Sequence, residues 1–340
     1  MKAIRFEGTE LCVKDVPTPV PGLEEVLVRI TTSGVCHSDL HLARGHWQGM
    51  QPPMIGHEAI GVVEALGPGA ERFSSVGDRV ILGLGGMLGY WCGACHYCLG
   101  GEPRLCKQAK GILGTFAEEI CVWAGSLVPL PDDVDDLEAP LACGGLTAYG
   151  AVKKLLAHDV LPGRPIGIVG AAGGLGHYAV QIASSFGYRV VGVDIGTERL
   201  EFVRGLGALH AVEPGDAVQL VRSEFDGVDG VLVFTAALAG FDLGLKMLRR
   251  GGLFVAVGIP PTSEGDIRLN PMEFFHRSPT LMYSAGGTVQ DMRELVDLAS
   301  RGKVKSHVSR TGALSEVPAI FDELEAGKYL GRAVITDMAG

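Results

Sequence analysis

Long apolar runs are missing from this chain of 340 residues: none reaches the ~18 residues that a membrane-spanning helix requires. No charged tail is present either, because 39 acidic and 29 basic residues are scattered along the chain and give a formal net charge of −10. Residues 1–5 (MKAIR) contain no apolar signal segment. These absences argue against a membrane or a nucleic acid as the partner. We expect a cytoplasmic protein in a reducing compartment.

Helical periodicity is missing from the first 140 residues, which we expect to be rich in β-structure. Val26, Val28 and Ile30 alternate with neighbouring side chains in the manner of a strand. The length of the chain predicts two domains.

Strand and helix patterns alternate beyond Cys143. The run Pro165 to Val169 predicts a buried strand, and Phe241 to Arg250 predicts a helix that ends at two glycines. Near the end of the chain, Thr288 and Asp291 form a helix-capping signature. This alternation predicts an α/β domain whose parallel sheet carries helices on both faces.

Cysteine is scarce, with eight residues in all, but half of them lie close together. These four are Cys92, Cys95, Cys98 and Cys106. Four thiolates can close a tetrahedron around Zn²⁺ and leave no position for a substrate, so we predict a structural zinc site. An iron–sulfur cluster is an alternative, although the ferredoxin run has a shorter spacing before its fourth cysteine. Disulfides are disfavoured in a reducing compartment, and a redox Cys-x-x-Cys would need only two thiols.

A glycine-rich turn separates the strand that ends at Val169 from a predicted helix. It contains Gly170, Gly173, Gly174, Leu175 and Gly176, and it is one residue longer than the pattern Gly-x-Gly-x-x-Gly. Such a turn brings the backbone and a helix N-terminus close to phosphate groups. Asp194 ends the next predicted strand, where a carboxylate binds ribose hydroxyls and repels a 2′-phosphate. The order predicts NAD rather than NADP; the alternative is a simple turn followed by a solvated aspartate.

Three further segments contain the thiols and imidazoles that a second metal site would need. They are Cys36-His37-Ser38-Asp39-Leu40-His41, Gly56-His57-Glu58, and the run from Ala139 to Thr147 that contains Cys143. Together with the four cysteines and the glycine-rich turn, in this order along almost the whole chain, they resemble the zinc-dependent alcohol dehydrogenases of the medium-chain dehydrogenase/reductase superfamily. The similarity is greatest to the bacterial, archaeal and yeast branch.

The resemblance implies two zinc ions per subunit and a proton relay. Cys36, His57 and Cys143 would bind the catalytic zinc, with Glu58 as an alternative ligand and Asp39 orienting His57. The zinc would stabilise the alkoxide form of the alcohol while NAD accepts the hydride. Ser38 would take the hydroxyl proton and pass it through the nicotinamide ribose to His41.

The resemblance also assigns cofactor and substrate positions. His37 and Arg332 would contact the pyrophosphate, Thr147 would border the nicotinamide, and Arg199 would lie beside the adenine. Trp47 and Met87 would line the substrate pocket, with Met87 where the family usually has Trp. Because methionine adapts its shape, we expect a pocket that accepts bulky, aromatic or branched alcohols.

The implied architecture is a Rossmann doubly wound sheet at residues 146–284 and a β-rich, GroES-like catalytic domain. The catalytic domain would comprise residues 1–145 and 285–340, with a zinc lobe at about 92–106. Family members are oligomers, and we expect a homotetramer, with a homodimer as the alternative.

Other interpretations stay open at this stage. A polyol, sugar or amino-alcohol dehydrogenase would use the same scaffold, and a non-catalytic relative would use zinc and nucleotide only for folding or sensing. Each residue taken alone also has an ordinary explanation: buried cysteines are often apolar fillers, and serines often cap turns. We assign that ordinary role to Cys12 and Cys121, and a surface or packing role to His46, His96 and His276.

Overall fold

The computed structural model describes residues 1–8, 10–47 and 52–340. The chain divides into two compact units, one of Met1–Leu146 and Gly286–Gly340 and one of Thr147–Ala285. No helix among the described residues is long and apolar enough to cross a membrane.

Strands dominate the first part of the chain, as expected from its alternating pattern. In chain order the elements are β1 (Lys2–Glu7), β2 (Glu10–Asp15), β3 (Glu25–Val35), α1 (His37–Ala43), β4 (Ala59–Leu66), β5 (Arg79–Leu82), α2 (His96–Leu99), β6 (Glu119–Trp123) and β7 (Val128–Pro129).

Helices and strands alternate in the rest of the chain. The elements up to the end of the second unit are α3 (Gly144–Ala157), β8 (Pro165–Val169), α4 (Gly176–Ser185), β9 (Arg189–Val193), α5 (Thr197–Gly205), β10 (His210–Val212), α6 (Pro214–Phe225), β11 (Val228–Val233), α7 (Leu238–Met247), β12 (Leu248–Ala256), α8 (Pro271–Arg277) and β13 (Thr280–Tyr283). The chain ends with α9 (Val289–Ser300), β14 (Val308–Ala313), α10 (Val317–Glu325) and β15 (Arg332–Asp337).

The sheet of the first unit is built around the long strand β3. The strand order is β14-β15-β3-β4-β5-β7, and β6 also pairs with β3. All of these pairs are antiparallel except β14 with β15. Side chains such as Val26, Val28 and Ile30 of β3 are buried in the core of this unit. The sheet therefore joins the two ends of the chain, because β15 lies directly beside β3.

The second unit contains a six-stranded sheet with the order β10-β9-β8-β11-β12-β13. Every pair in it is parallel, which confirms the predicted doubly wound α/β domain. The strand order reverses at β8, which pairs with β9 on one side and β11 on the other. Ligands of such sheets bind beyond the carboxyl ends of the strands at this switch point, and the glycine-rich turn follows β8 there.

One predicted boundary is wrong and one predicted cap is confirmed. The helix expected from Phe241 to Arg250 ends at Met247, and β12 begins at the next residue. The reason is pairing, because Leu248 is aligned with Val228 of the neighbouring strand. The side chain of Thr288 caps α9 as predicted: its hydroxyl accepts a hydrogen bond from the amide of Asp291.

Candidate active site

Four buried side chains converge in the first unit at the ends of three different elements. Cys36 precedes α1, His57 and Glu58 precede β4, and Cys143 precedes α3. Each offers one ligand atom, and these atoms all lie within 4.8 Å of one another. Residues more than 100 positions apart thus form one group with the donors that Zn²⁺ prefers.

Asp39 fixes the orientation of the imidazole in this group. Its Oδ1 atom accepts hydrogen bonds from Nδ1 of His57 at 2.9 Å and from the amide of Gly56 at 2.8 Å. Its Oδ2 atom accepts from the amide of Cys36 at 3.3 Å. Because Nδ1 is used in this way, Nε2 of His57 is the nitrogen left for a metal.

The two thiols of the group share a hydrogen bond. Cys143 donates to Cys36, and this bond, with help from His57, holds the pKa of the Cys36 thiol well below its usual range despite burial. The same bond, together with burial, raises the pKa of Cys143. Two neighbouring thiolates repel each other, and a divalent cation between them would stabilise both.

Glu58 forms a buried ion pair that the sequence did not reveal. Its Oε2 atom accepts a hydrogen bond from Nη2 of Arg332, and both side chains are almost inaccessible to solvent. Burial raises the pKa of Glu58 to about 7, although the guanidinium lowers it. Gly34 makes room for the carboxylate, since a Cβ atom there would lie 2.1 Å from Oε2. The other oxygen, Oε1, is buried and has no hydrogen-bond partner among the described residues.

These observations fit a zinc ion. Two thiols and the Nε2 atom of the imidazole supply three ligands, and the unpartnered carboxylate oxygen supplies a fourth donor within reach. Three protein ligands with one exchangeable position are typical of catalytic zinc.

The four-cysteine group is formed as predicted. Its sulfur–sulfur distances are 3.5 Å for Cys95 and Cys98, 3.6 Å for Cys106 and Cys92, and 3.9 Å for Cys92 and Cys98. A tetrahedron with Zn–S bonds of ~2.3 Å has edges of ~3.8 Å. Each of the eight cysteines is a free thiol, so the group fits a closed metal site rather than disulfides.

The two residues predicted for the proton relay, Ser38 and His41, both lie on α1. Ser38 is partly buried near the start of the helix, and His37 is exposed. Nδ1 of His41 lies 3.0 Å from Nδ1 of His46, so one ring donates and the other accepts. His41 also packs on Trp47, with ring centroids 4.9 Å apart. The sequence analysis missed His46 as a partner, because two histidines five residues apart give no pattern by themselves.

The glycine-rich turn of the second unit is built for close approach. A Cβ atom on Gly176 would lie 2.0 Å from the carbonyl oxygen of Gly170, so the chain there admits no side chain. Asp194 accepts a hydrogen bond from the amide of Ala172 at 2.8 Å, and Arg199 lies 3.7 Å from the same carboxylate. The predicted turn and the predicted ribose-binding carboxylate are therefore joined in one unit.

The remaining predicted positions are placed as follows. Gly173 and Gly174 lie within the turn, and Leu175 immediately precedes α4. Thr147 is buried in the first turns of α3, and Met87 is 43% exposed.

Tyr329 is a further candidate residue of the active site, and the sequence patterns did not identify it. Its hydroxyl is buried without a hydrogen-bond partner among the described residues, and burial raises its pKa. No motif includes this tyrosine, and only its spatial proximity to Arg332 and Cys36, whose charges act on it, distinguishes it.

Comparison with known proteins agrees with this arrangement. The family described as "Alcohol dehydrogenase GroES-like domain" matches residues 22–132, and "Zinc-binding dehydrogenase" matches residues 174–301. An alcohol dehydrogenase from a Moraxella species is 37% identical over 337 residues, which is 96% of each chain.

Solved structures show the same similarity. The alcohol dehydrogenase of the archaeon Aeropyrum pernix has a TM-score of 0.88 and 34% identity, and the match covers 99% of this chain and 100% of that one. An acetophenone reductase from Geotrichum candidum, solved in complex with NAD, has a TM-score of 0.85 and 30% identity over 99% of this chain and 97% of that one.

The GroES-like and Rossmann domains with two thiol-rich metal groups define a zinc-type dehydrogenase of two domains. The chain belongs to the zinc-dependent alcohol dehydrogenases of the medium-chain dehydrogenase/reductase superfamily. It is an oxidoreductase that interconverts alcohols and carbonyl compounds, with zinc and NAD as its cofactors. The predicted fold class, family, enzyme class and cofactors are thereby confirmed, and the relatives support an alcohol rather than a polyol or a non-catalytic role.

Proposed function

We propose that Cys36, His57 and Cys143 hold the catalytic zinc, with Glu58 as an exchangeable ligand. The observation that carries this is the convergence of their ligand atoms within 4.8 Å in a fully buried group. When bound, zinc supplies a Lewis acid for the substrate oxygen, and NAD supplies the hydride acceptor. Asp39 keeps the tautomer of His57 that leaves Nε2 free.

We propose that two residues of α1, Ser38 and His41, remove the proton of the substrate hydroxyl group. The hydroxyl of Ser38 takes the substrate proton at Oγ, and His41 receives it at a ring nitrogen. Burial, with smaller contributions from His37 and His46, lowers the pKa of His41 to about 4. His41 is therefore neutral at pH 7 and has a nitrogen lone pair available as acceptor.

The second unit, with residues 146–284 at its predicted bounds, is proposed as the NAD-binding domain. The turn at Gly170, Gly173, Gly174 and Leu175 would bind the pyrophosphate, and Asp194 would bind the adenosine ribose. Arg199, Thr147, His37 and Arg332 stay predicted contacts of the cofactor. The first unit, with the zinc lobe at 92–106, is proposed as the catalytic domain.

Two cysteine substitutions, one at a proposed zinc ligand and one elsewhere, test this assignment. Cys143→Ala is expected to abolish NADH formation and to lower the zinc content from two ions per chain to one. Cys121→Ala is the matched control, because Cys121 lies in β6 outside both metal groups. The measurements are NADH absorbance with a panel of alcohols and metal analysis of the purified protein. Retention of two zinc ions and full activity in Cys143→Ala would refute the proposal.

The substrate is proposed to be a bulky alcohol, aromatic or branched. Met87 stands where an indole is usual in the family, and a thioether adapts to different shapes. The structural similarity to an acetophenone reductase supports an aromatic substrate. A panel from ethanol to benzyl alcohol is the test, and a kcat/KM that falls steadily from ethanol to the larger alcohols would contradict this choice.

The protein is proposed to be a cytoplasmic homotetramer, with a homodimer as the alternative. Support for self-association comes from the edge of the second unit's sheet. Met272 and Phe275 of α8 are 62% and 74% exposed, and Tyr283 of the edge strand β13 is 46% exposed. An unpaired strand edge with exposed apolar side chains beside it is a surface to which another chain can bind.

A further inference from the structure

The turn formed by Gly83, Leu84, Gly85 and Gly86 lies directly against His57. A Cβ atom on Gly86 would be 3.1 Å from both Cγ and Cδ2 of the imidazole. Carbon atoms in contact prefer ~3.5–4.0 Å, so a methyl group at this position would press on the ring, which would have to move by a few tenths of an ångström. A Cβ atom on Gly83 would be only 2.2 Å from the carbonyl oxygen of His57. The turn therefore contacts both the ring and the backbone of this residue.

The backbone of the turn has a conformation that glycine favours. All of its residues have positive φ angles, with 140° at Gly83, 42° at Leu84, 73° at Gly85 and 71° at Gly86. The amide of Gly86 donates a hydrogen bond to the carbonyl of Gly83 at 2.8 Å. Leu84, the one residue with a side chain, is 1% exposed and anchors the turn in the interior.

A second segment of the chain contacts the turn at the carbonyl group of Gly86. A Cβ atom on Gly111 would lie 2.4 Å from the carbonyl oxygen of Gly86. The preceding residue, Lys110, accepts a hydrogen bond from the amide of Gly89 at 2.6 Å and donates one to Tyr90 at 3.0 Å. In the sequence, Gly89 and Tyr90 precede the four-cysteine lobe, and Lys110 and Gly111 follow it. The turn is therefore packed against both His57 and the segment that follows the four-cysteine lobe.

We propose that the Gly83–Gly86 turn positions His57 for metal binding. The carboxylate of Asp39 holds Nδ1 at 2.9 Å, and the turn covers the Cδ2 edge, next to the nitrogen that remains for the metal. The imidazole is thus fixed from two sides, and Gly86 acts as a positioning residue through His57. The inference rests on the proposed role of His57 as a ligand.

Gly86→Ala tests the proposal, with Gly302→Ala as the matched control. Gly302 has a φ angle of 64° but nothing within 4 Å of its Cβ position, so both variants strain the backbone while only one presses on His57. The readout is the visible absorption of Co²⁺ in the full-length protein, restricted to the band that Cys143→Ala lacks. Gly86→Ala is expected to weaken Co²⁺ binding by about 10-fold or more, a magnitude typical of groups that orient a ligand. Gly302→Ala is expected to bind as the parent does.

A stability measurement keeps the proposal testable even if Gly86→Ala binds no metal at all. In the metal-free protein, Gly86→Ala is expected to lower Tm more than Gly302→Ala does. In a His57→Ala background, which removes the ring but keeps the Cβ atom 3.3 Å from the Cβ position of Gly86, the difference in Tm between the two glycine substitutions is expected to shrink. An equal effect of Gly86→Ala in both backgrounds, or unchanged Co²⁺ affinity, would overturn the proposal.

The experiment separates this inference from the assignment on which it rests. If the parent protein shows no Co²⁺ band that depends on Cys143, the proposed catalytic centre fails, whatever the turn does. If that band is present and Gly86→Ala leaves it unchanged, only the positioning role of the turn fails.

Discussion

Asp39 shows how much of this site depends on one side chain. Its carboxylate is completely buried and accepts hydrogen bonds from His57, from Gly56 and from the backbone of Cys36. The same residue lies in the first turn of α1, where an acidic side chain stabilises the helix N-terminus. One carboxylate therefore connects the start of the helix with the orientation of two proposed metal ligands.

Replacing Asp39 by asparagine is expected to weaken zinc binding at the catalytic group by about 10- to 100-fold, because the amide no longer provides a charged acceptor for Nδ1 of His57. The measurement is competition for zinc with a chelator. Glu224→Gln is the control, since Glu224 contacts His210 at 2.9 Å on the surface of the second unit and belongs to neither metal group. Equal zinc affinity in Asp39→Asn and the parent would contradict the role given to Asp39.

His41 predicts an acid-dependent loss of stability. Burial is the main cause that lowers its pKa from 6.5 to about 4. Between pH 6.5 and about 4, His41 is protonated in the unfolded chain but neutral in the folded protein. The contribution of neutral His41 to the free energy of unfolding is therefore present above pH 6.5 and is lost as the pH falls toward 4.

The expected result is that His41→Gln loses less stability than the parent between pH 6.5 and 4. Chemical unfolding at several pH values measures this difference. His158→Gln, a change of an exposed histidine just beyond α3, should keep the slope of the parent. Identical slopes for all three proteins would show that His41 has an ordinary pKa in the folded state.

Among the elements, the four-cysteine lobe has little structure of its own. Its helix α2 has four residues and contains no buried side chain, and such a short helix is unstable in isolation. The lobe is closed at its base by the bridge between Tyr90 and Lys110. Its order should therefore depend on the bound metal.

Cys95→Ser is expected to lower the zinc content from two ions per chain to one and to make residues 92–106 sensitive to protease. Limited proteolysis with metal analysis tests this expectation. Cys12→Ser provides the comparison, because Cys12 lies in β2 and belongs to neither metal group. A protease-resistant Cys95→Ser protein with one zinc ion would show that the lobe folds without its metal.

The elements also show what sequence patterns can and cannot reveal. The cysteine spacing and the glycine-rich turn are local, so their geometry could be predicted, and the capping signature at Thr288 was equally direct. The pairing of Glu58 with Arg332 joins residues 274 positions apart, and no local pattern encodes it. The turn at Gly83–Gly86 is only a short glycine-rich segment in the sequence, and its significance comes from the imidazole it touches. The predicted end of α7 was wrong because pairing with β11, rather than helical periodicity, determines where β12 begins.

At the scale of the whole molecule, self-association should depend on the edge of the parallel sheet. Phe275→Asp places a charge on a side chain that is 74% exposed in the single chain, and burial of that charge between subunits would be unfavourable. The expected result is a smaller assembly, measured as molar mass by light scattering after gel filtration. Leu161→Asp, at a side chain that is 57% exposed, should leave the mass unchanged. An unchanged mass for Phe275→Asp would place the interface elsewhere.

The pairing of β15 with β3 has a consequence for protein synthesis. Ala333 lies opposite Val35, and Arg332 supplies the partner of Glu58. At ~5–20 residues per second, a ribosome needs roughly 15–60 s to translate the chain between these two strands. The four cysteines, by contrast, are neighbours and can capture their ion while translation continues. The ion pair between Glu58 and Arg332 is therefore the part of the candidate site that protein synthesis supplies last.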